Sequence, residues 1–163
     1  MVNEADLKHL KRCVELAEMA LAKGHNPFGA VLVSSNGEVL FEDHNRVGGG
    51  DQTQHPEFAI ARWAASHMTP EERREATVYT SGEHCPMCAA AHGWVGLGRI
   101  VYASSSEQLV EWKTEWGAAP TPVRNLSIDE VIRDAEVEGP VPELAEQVRE
   151  LQHQRHERNK LAN

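Results

Sequence analysis

The spacing of hydrophobic residues predicts an amphipathic helix over residues 4–22. Its apolar positions recur three or four residues apart, and they are Leu7, Leu10, Val14, Ala17 and Leu21. That spacing places them on one face of an α-helix. Gly24 follows, with Pro27 just beyond, and this pair of residues is typical of a helix end.

A β-hairpin is predicted next. The apolar run FGAVLVSS, residues 28–35, has the length and composition of a buried strand. Asn36-Gly37 is a strong two-residue turn signal, and EVLFEDHN, residues 38–45, forms the returning strand.

The remainder of the chain alternates between helical and extended patterns. Helices are predicted over residues 56–68, 86–94 and 106–116 and from Pro142 onward, and strands over residues 76–82 and 99–105. Residues 68–76 are predicted to form a surface connection. A fifth strand is predicted within residues 120–128, confined to a sheet edge by Pro120 and Pro122.

This order of elements predicts an α/β fold. From the third strand onward strands alternate with helices, which indicates parallel crossovers and helices on both faces of the sheet. At 163 residues we expect one domain, residues 1–163, in which residues 140–163 form a C-terminal helix and polar tail.

Composition and charge favour a small ligand. The chain is 40% hydrophobic and 25% charged, with a formal net charge of −9. Because phosphate neutralisation supplies most of the affinity for nucleic acid, this charge argues against a polynucleotide partner. No apolar run has membrane-spanning length and the first residues carry no apolar signal core, so we expect no membrane partner and a cytoplasmic location.

Two of the three cysteines, Cys85 and Cys88, form a CxxC pair that suits a redox switch, a structural zinc site or a catalytic metal site. A second CxxC is absent and Cys13 lies within the first predicted helix, so a four-cysteine site is excluded. His55 and Glu57 stand at the start of another helix, as HPE. Three protein ligands with one open position are typical of catalytic zinc, and H-x-E followed by C-x-x-C is a deaminase signature.

Several segments together resemble the cytidine deaminase-like superfamily: NPFGAVLVSSNGEVL, DHNRV, HPE and TSGEHCPMCAAAHGW. The similarity covers about residues 7–104 and is strongest to the nucleobase and nucleoside deaminase branch, which includes guanine deaminases and tRNA adenosine deaminases. The resemblance implies a three-layer α/β/α sandwich around a mixed sheet of about five strands, and a homodimer. It also implies Zn²⁺ held by His55, Cys85 and Cys88, with Glu57 as the catalytic acid and base.

The resemblance also implies a substrate-binding set. Asn45 matches the asparagine that anchors the base or ribose, and Phe28 and Trp94 match aromatic wall positions. Ala30 lies on the backbone that passes close to the base. Each has a structural alternative, since Asn45 can cap a turn and the aromatic residues can be core.

The chain departs from the family pattern at three places. Pro56 replaces a residue whose backbone N–H can donate to a substrate carbonyl, and His84 replaces a proline, where its ring either contacts the pocket or fills the loop. The C-terminal pattern of guanine deaminases is absent, and Trp112 and Trp116 form either a lid or helix packing. His92 is expected to be a packed histidine, since a fourth ligand would close the site.

We therefore expect zinc-dependent hydrolytic deamination of an exocyclic amine on a free nucleobase or related heterocycle, with release of ammonia. Guanine-like, cytosine-like and aminotriazine rings all remain open. The alternatives are a tRNA adenosine deaminase, which should carry a basic face, and a catalytically inert zinc-stabilised interaction domain, against which the intact Glu57 argues.

Overall fold

A computed structural model describes all 163 residues. The helices are α1 Glu4–Ala22, α2 Pro56–His67, α3 Pro70–Glu75, α4 Pro86–Val95, α5 Ser106–Glu115, α6 Ile128–Val131 and α7 Pro142–Ala162. The strands are β1 Gly29–Val33, β2 Val39–His44, β3 Thr77–Gly82, β4 Ile100–Ser104 and β5 Val137–Glu138, and a 3₁₀ turn covers Val47–Gly49. No helix combines the length and the apolar character needed to cross a membrane.

The five strands form one mixed sheet in the order β2-β1-β3-β4-β5. Strand β1 pairs antiparallel with both β2 and β3, whereas β3, β4 and β5 are parallel to one another. The Asn36-Gly37 turn closes the β1–β2 hairpin, with Gly37 at a φ of +84° that favours glycine. The predicted hairpin and the parallel crossovers are therefore confirmed.

Alternating residues of the central strands face two helical layers. Val31, Val33 and Tyr79 pack with α1 and α7 on one side of the sheet. Leu32 and Val78 point the other way, into a cluster with α2 and α4. This period-two alternation divides the core between the two faces, and it confirms the expected three-layer α/β/α architecture.

Helix α1 lies unusually close to the start of β1. A Cβ atom added at Gly29 would lie 2.3 Å from the carbonyl oxygen of Cys13 and 2.5 Å from Cβ of Leu16. Only glycine permits this approach. Because Gly29 directly follows Phe28, the packing of α1 fixes where the chain enters the sheet beside one of the predicted pocket residues.

A partly buried ion-pair network ties α1 to β3, to β5 and to Arg99, the residue before β4. Asp6 accepts hydrogen bonds from both terminal nitrogens of Arg99, at 2.8 and 2.9 Å, and from the hydroxyl of Tyr79 at 2.7 Å. Arg99 also donates to Glu138 in β5, at 2.8 Å. The hydrogen bond from Arg99 holds the pKa of Asp6 well below its ordinary value.

Two predicted elements differ from the structure. The predicted surface connection contains α3, a short exposed helix that Thr69 begins with a capping box. The predicted strand within residues 120–128 is wrong, because that segment contains no strand and β5 lies at Val137–Glu138 instead.

The two C-terminal tryptophans pack between helices. Trp112 packs against the core cluster shared by α1 and α7. The ring centroid of Trp116 lies 4.9 Å from that of His153, and the Arg149 guanidinium lies 5.8 Å from the Trp116 ring. These contacts join α5 to α7. Trp112 and Trp116 therefore serve in helix packing, which was one of the two roles predicted for them, rather than as a lid.

The Asp6 network generates a stability prediction. We expect Asp6→Asn to lower the free energy of unfolding by about 3 kcal/mol, because it leaves the partly buried Arg99 without its main counter-charge. Because the pKa of Asp6 is depressed in the folded chain, this difference is present above about pH 4 and shrinks as the pH falls further. Urea unfolding at pH 7 and pH 3 measures both effects.

The matched control is Glu15→Gln, which removes a carboxylate from the exposed Arg12–Glu15 pair of the same helix. It should cost less than about 1 kcal/mol, since exposed pairs contribute little. Equal losses from the two substitutions would contradict a structural role for the Asp6 network.

Candidate metal centre

The centre is built where two helices begin. His55 is the N-cap of α2 and Cys85 is the N-cap of α4, and each residue has an extended backbone. Each is followed by a proline at the first helical position, Pro56 and Pro86, where a missing N–H costs no helical hydrogen bond. Both prolines therefore fix the start of a helix directly after a metal-ligand candidate.

Three donor atoms converge at this point. Nδ1 of His55 lies 3.5 Å from Sγ of Cys85 and 3.5 Å from Sγ of Cys88. The two sulfur atoms are also 3.5 Å apart. Tetrahedral zinc, with bonds of about 2.3 Å to sulfur and about 2.0 Å to nitrogen, separates its donors by about 3.5 to 3.8 Å. The triangle therefore fits a zinc ion with one coordination position left open.

The local electrostatics favour a thiolate. Hydrogen bonds from Cys88 and then from His55 lower the pKa of Cys85 to about 4. The N-terminal end of α4, at which Cys85 stands, also favours a negative charge. Two sulfurs and one imidazole are a donor set that suits zinc, whereas magnesium and calcium prefer oxygen.

Glu57 lies beside the donors without belonging to them. The cluster of metal-ligand atoms comprises His55, Cys85 and Cys88. Glu57 follows His55 by two residues in the first turn of α2 and is only 5% exposed. Burial raises the pKa of its carboxyl to about 7, opposed by the nearby charge of His55. A buried carboxyl at this point can exchange protons with a ligand held in the site.

Asn45 and Phe28 lie together at the end of the β1–β2 hairpin. The backbone N–H of Asn45 donates to the carbonyl oxygen of Phe28 at 3.0 Å. The side-chain oxygen of Asn45 accepts from the N–H of Val47, also at 3.0 Å, so it does cap a turn. Its Nδ2 group remains available as a donor. The Phe28 ring covers Gly82 at the end of β3.

The other three predicted substrate-binding residues differ in their surroundings. Ala30 is fully buried in the core between the sheet and the helices α2 and α4. His84 is 1% exposed, and its ring lies edge-on to His92 at 5.3 Å. Trp94 is 90% exposed near the C-terminal end of α4, whereas the cysteines stand at its N-terminal end. The structure therefore does not bring Trp94 to the donor cluster.

His92 is a packed histidine, as expected. Its Nε2 donates to the carbonyl oxygen of Gly98 at 2.7 Å, and His92 is not part of the cluster of metal-ligand atoms. Burial lowers the pKa of His92 to about 4, so the ring is neutral near pH 7. It does not close the open position of the site.

Two serines for which the sequence predicted no role connect the ends of β1, β3 and β4. The hydroxyl of Ser81 accepts from the N–H of Gly29 at 3.0 Å, and the hydroxyl of Ser104 donates to the carbonyl oxygen of Ser81 at 2.7 Å. Both serines lie near the carboxyl ends of parallel strands that precede helices. That position is where ligands bind in open α/β sheets, and it is the signal that could have identified them.

Comparison with known families agrees with this geometry. Residues 3–104 match the model of the cytidine and deoxycytidylate deaminase zinc-binding region. The matched range includes every residue of the donor triangle and Glu57. The chain belongs to this deaminase family, and His55, Cys85 and Cys88 are residues that could hold its zinc.

Individual relatives differ in the activity for which they are named. A probable cytosine deaminase of Schizosaccharomyces pombe is 33% identical over 119 residues, or 73% of this chain and 72% of the relative. A guanine deaminase of Bacillus subtilis is 35% identical over 104 residues, or 63% and 66%. A tRNA-specific adenosine deaminase of Haemophilus influenzae is 33% identical over 104 residues, or 63% and 60%.

A solved structure has the same fold. The guanine deaminase from Nitrosomonas europaea superposes with a TM-score of 0.66 at 18% identity, covering 94% of this chain and 86% of that one. At this identity the likeness shows the cytidine deaminase fold alone.

The donor triangle predicts the metal content. We expect about one zinc per chain, and less than about a tenth of that in His55→Ala, Cys85→Ala and Cys88→Ala, because two ligands hold zinc poorly. Elemental analysis of protein purified without added metal measures the ratio. Cys13→Ala is the matched control, since Cys13 is buried in the core cluster and is not among the clustered metal-ligand atoms, so this substitution should leave the zinc content unchanged. Full zinc in the Cys88 variant would contradict the assignment.

Proposed function

We propose that the protein hydrolyses an exocyclic amine on a free nucleobase or a closely related amino-substituted heterocycle and releases ammonia. The observation that carries the proposal is the triangle of His55, Cys85 and Cys88, with 3.5 Å between donors, next to the buried carboxyl of Glu57. Structural zinc sites use four protein ligands, and this arrangement offers three.

The roles of the residues follow from their positions. His55, Cys85 and Cys88 would hold the zinc, which would supply Lewis acidity and lower the pKa of a bound water towards neutrality. Glu57 accepts a proton from the attacking water and delivers it to the ring nitrogen beside the reacting carbon. The same carboxyl then helps to protonate the departing amine. The ring loses its amine as ammonia and gains a carbonyl oxygen from water.

The substrate shell is proposed around Asn45 and Phe28. The free Nδ2 donor of Asn45 suits an acceptor atom of the base, and the half-buried Phe28 ring offers an apolar face to a planar ring. The exposed Trp94 and the buried Ala30 and His84 contribute less to a pocket within one chain. We also propose that the protein forms a homodimer, and a measurement of its molar mass in solution tests this.

A tRNA substrate is the second candidate, because a tRNA-specific adenosine deaminase is as similar to the chain as the nucleobase deaminases. The net charge of −9 favours the free base, since affinity for RNA rests largely on cationic contacts to phosphate. An activity panel should therefore contain aminated purines, pyrimidines and triazines, and also an RNA stem-loop with adenosine in its loop.

Glu57→Gln tests the reaction directly. We expect ammonia release from the best substrate to fall by a factor of about 10³, because amide nitrogen cannot take up and return the proton. The zinc content should stay at the wild-type level. The assay is ammonia release together with elemental analysis of the same preparation.

The matched control is Glu71→Gln, the same change on the exposed helix α3, which should retain wild-type activity. Turnover of the stem-loop without turnover of any free base would favour the tRNA candidate. No release of ammonia from any compound, with zinc present, would favour an inert zinc-stabilised domain.

A further inference from the structure

The C-terminal helix reaches the segment that enters the predicted pocket. Nε2 of Gln152 donates to the carbonyl oxygen of Pro27 at 3.1 Å, and Nε of Arg155 donates to Oδ1 of Asn26 at 3.0 Å. Gln152 is only 4% exposed and Pro27 is buried. Because a buried carbonyl without a partner is costly, the Gln152 contact has a defined energetic role.

A continuous set of backbone contacts leads from this segment to the metal ligands. Phe28 directly follows Pro27, and its carbonyl oxygen accepts from the N–H of Asn45 at 3.0 Å. Arg46 follows Asn45, and its N–H donates to the carbonyl oxygen of Gln54 at 2.9 Å. Gln54 immediately precedes His55. The route from α7 to the metal centre therefore runs through both residues proposed to contact the substrate.

A third hydrogen bond connects α7 to the C-terminal end of α1. A terminal nitrogen of Arg158 donates to the carbonyl oxygen of Leu21 at 2.8 Å, in the last turn of α1. Residues 152, 155 and 158 lie three positions apart along α7 and share one face. That face contacts the last turn of α1 at Leu21 and the connection to β1 at Asn26 and Pro27.

We propose that Gln152 and Arg155 are positioning residues, which set the substrate affinity of the site by holding Phe28 and Asn45 in place. The proposal rests on the proposed function, because it assigns a task to the pocket that this function requires. It gives the C-terminal helix a role outside the matched zinc-binding region, which ends at residue 104. Neither residue touches the metal-ligand triangle, so their influence falls on binding rather than on the chemical step.

The first test measures local order without any substrate. Gln152→Met keeps the length of the side chain and removes its donor. We expect the amide hydrogens of Gly29 and Asn45 to exchange about tenfold faster in this variant, since one buried hydrogen bond no longer holds their segment. Amides in α2 and α4, and the zinc content, should stay at wild-type values. Hydrogen exchange followed by NMR measures each amide.

Gln154→Met is the matched control. Gln154 is exposed two residues further along α7 and bonds only to Glu150 of the same helix, so its loss should change none of these rates. Arg155→Met provides a second variant at a less buried position and should accelerate the same two amides. Unchanged exchange at Gly29 and Asn45, or equal acceleration throughout α2 and α4, would overturn the proposal.

The second test uses the best substrate from the activity panel. We expect Gln152→Met to raise KM about five- to tenfold while kcat changes less than twofold, because the pocket wall loosens and the proton transfer does not. A fall in kcat with KM unchanged would overturn the proposal. If no base is turned over, the proposed function fails, and the exchange rates still decide whether α7 holds Phe28 and Asn45.

Discussion

The separation between the first residues of α2 and α4 is the constraint on which the function depends. The two helices start at sites about thirty residues apart in the sequence, yet His55 and Cys85 place their donor atoms 3.5 Å apart. Each start is fixed by a proline at the first helical position, and the helices pack together on one face of the sheet. A shift of either helix by one turn, about 5.4 Å, would destroy the triangle.

The rest of the fold supports that convergence from the opposite face. Helix α1 packs closely against β1 at Gly29, where any larger residue would clash with α1. The buried Asp6 of α1 accepts hydrogen bonds from Arg99 and Tyr79. Helix α7 then holds the connection between α1 and β1. The metal centre thus lies on one side of the sheet, and the elements that order its pocket lie largely on the other.

The sequence was informative where the determinants are local. The Asn36-Gly37 turn predicts the hairpin, and Pro56 and Pro86 predict where α2 and α4 begin. The short motifs HPE and CPMC predict the metal ligands, because few other chemistries use these residues at this spacing. Prediction from the sequence failed where contacts between distant residues determine the structure. Strand β5 has two residues, and it is defined by pairing with β4 and by the Arg99–Glu138 ion pair rather than by its own pattern. Burial could not be inferred for an aromatic residue such as Trp94, since helical spacing does not say which side of α4 meets solvent.

X-ray absorption at the zinc edge identifies the atoms bound to the metal. Three protein ligands and one open position predict two sulfur neighbours at about 2.3 Å, one imidazole, and one further light atom that shows no imidazole scattering. A small zinc-binding anion should displace that fourth neighbour. A second imidazole or a third sulfur would mean that protein side chains close the site, and this result would contradict hydrolysis at an open zinc position.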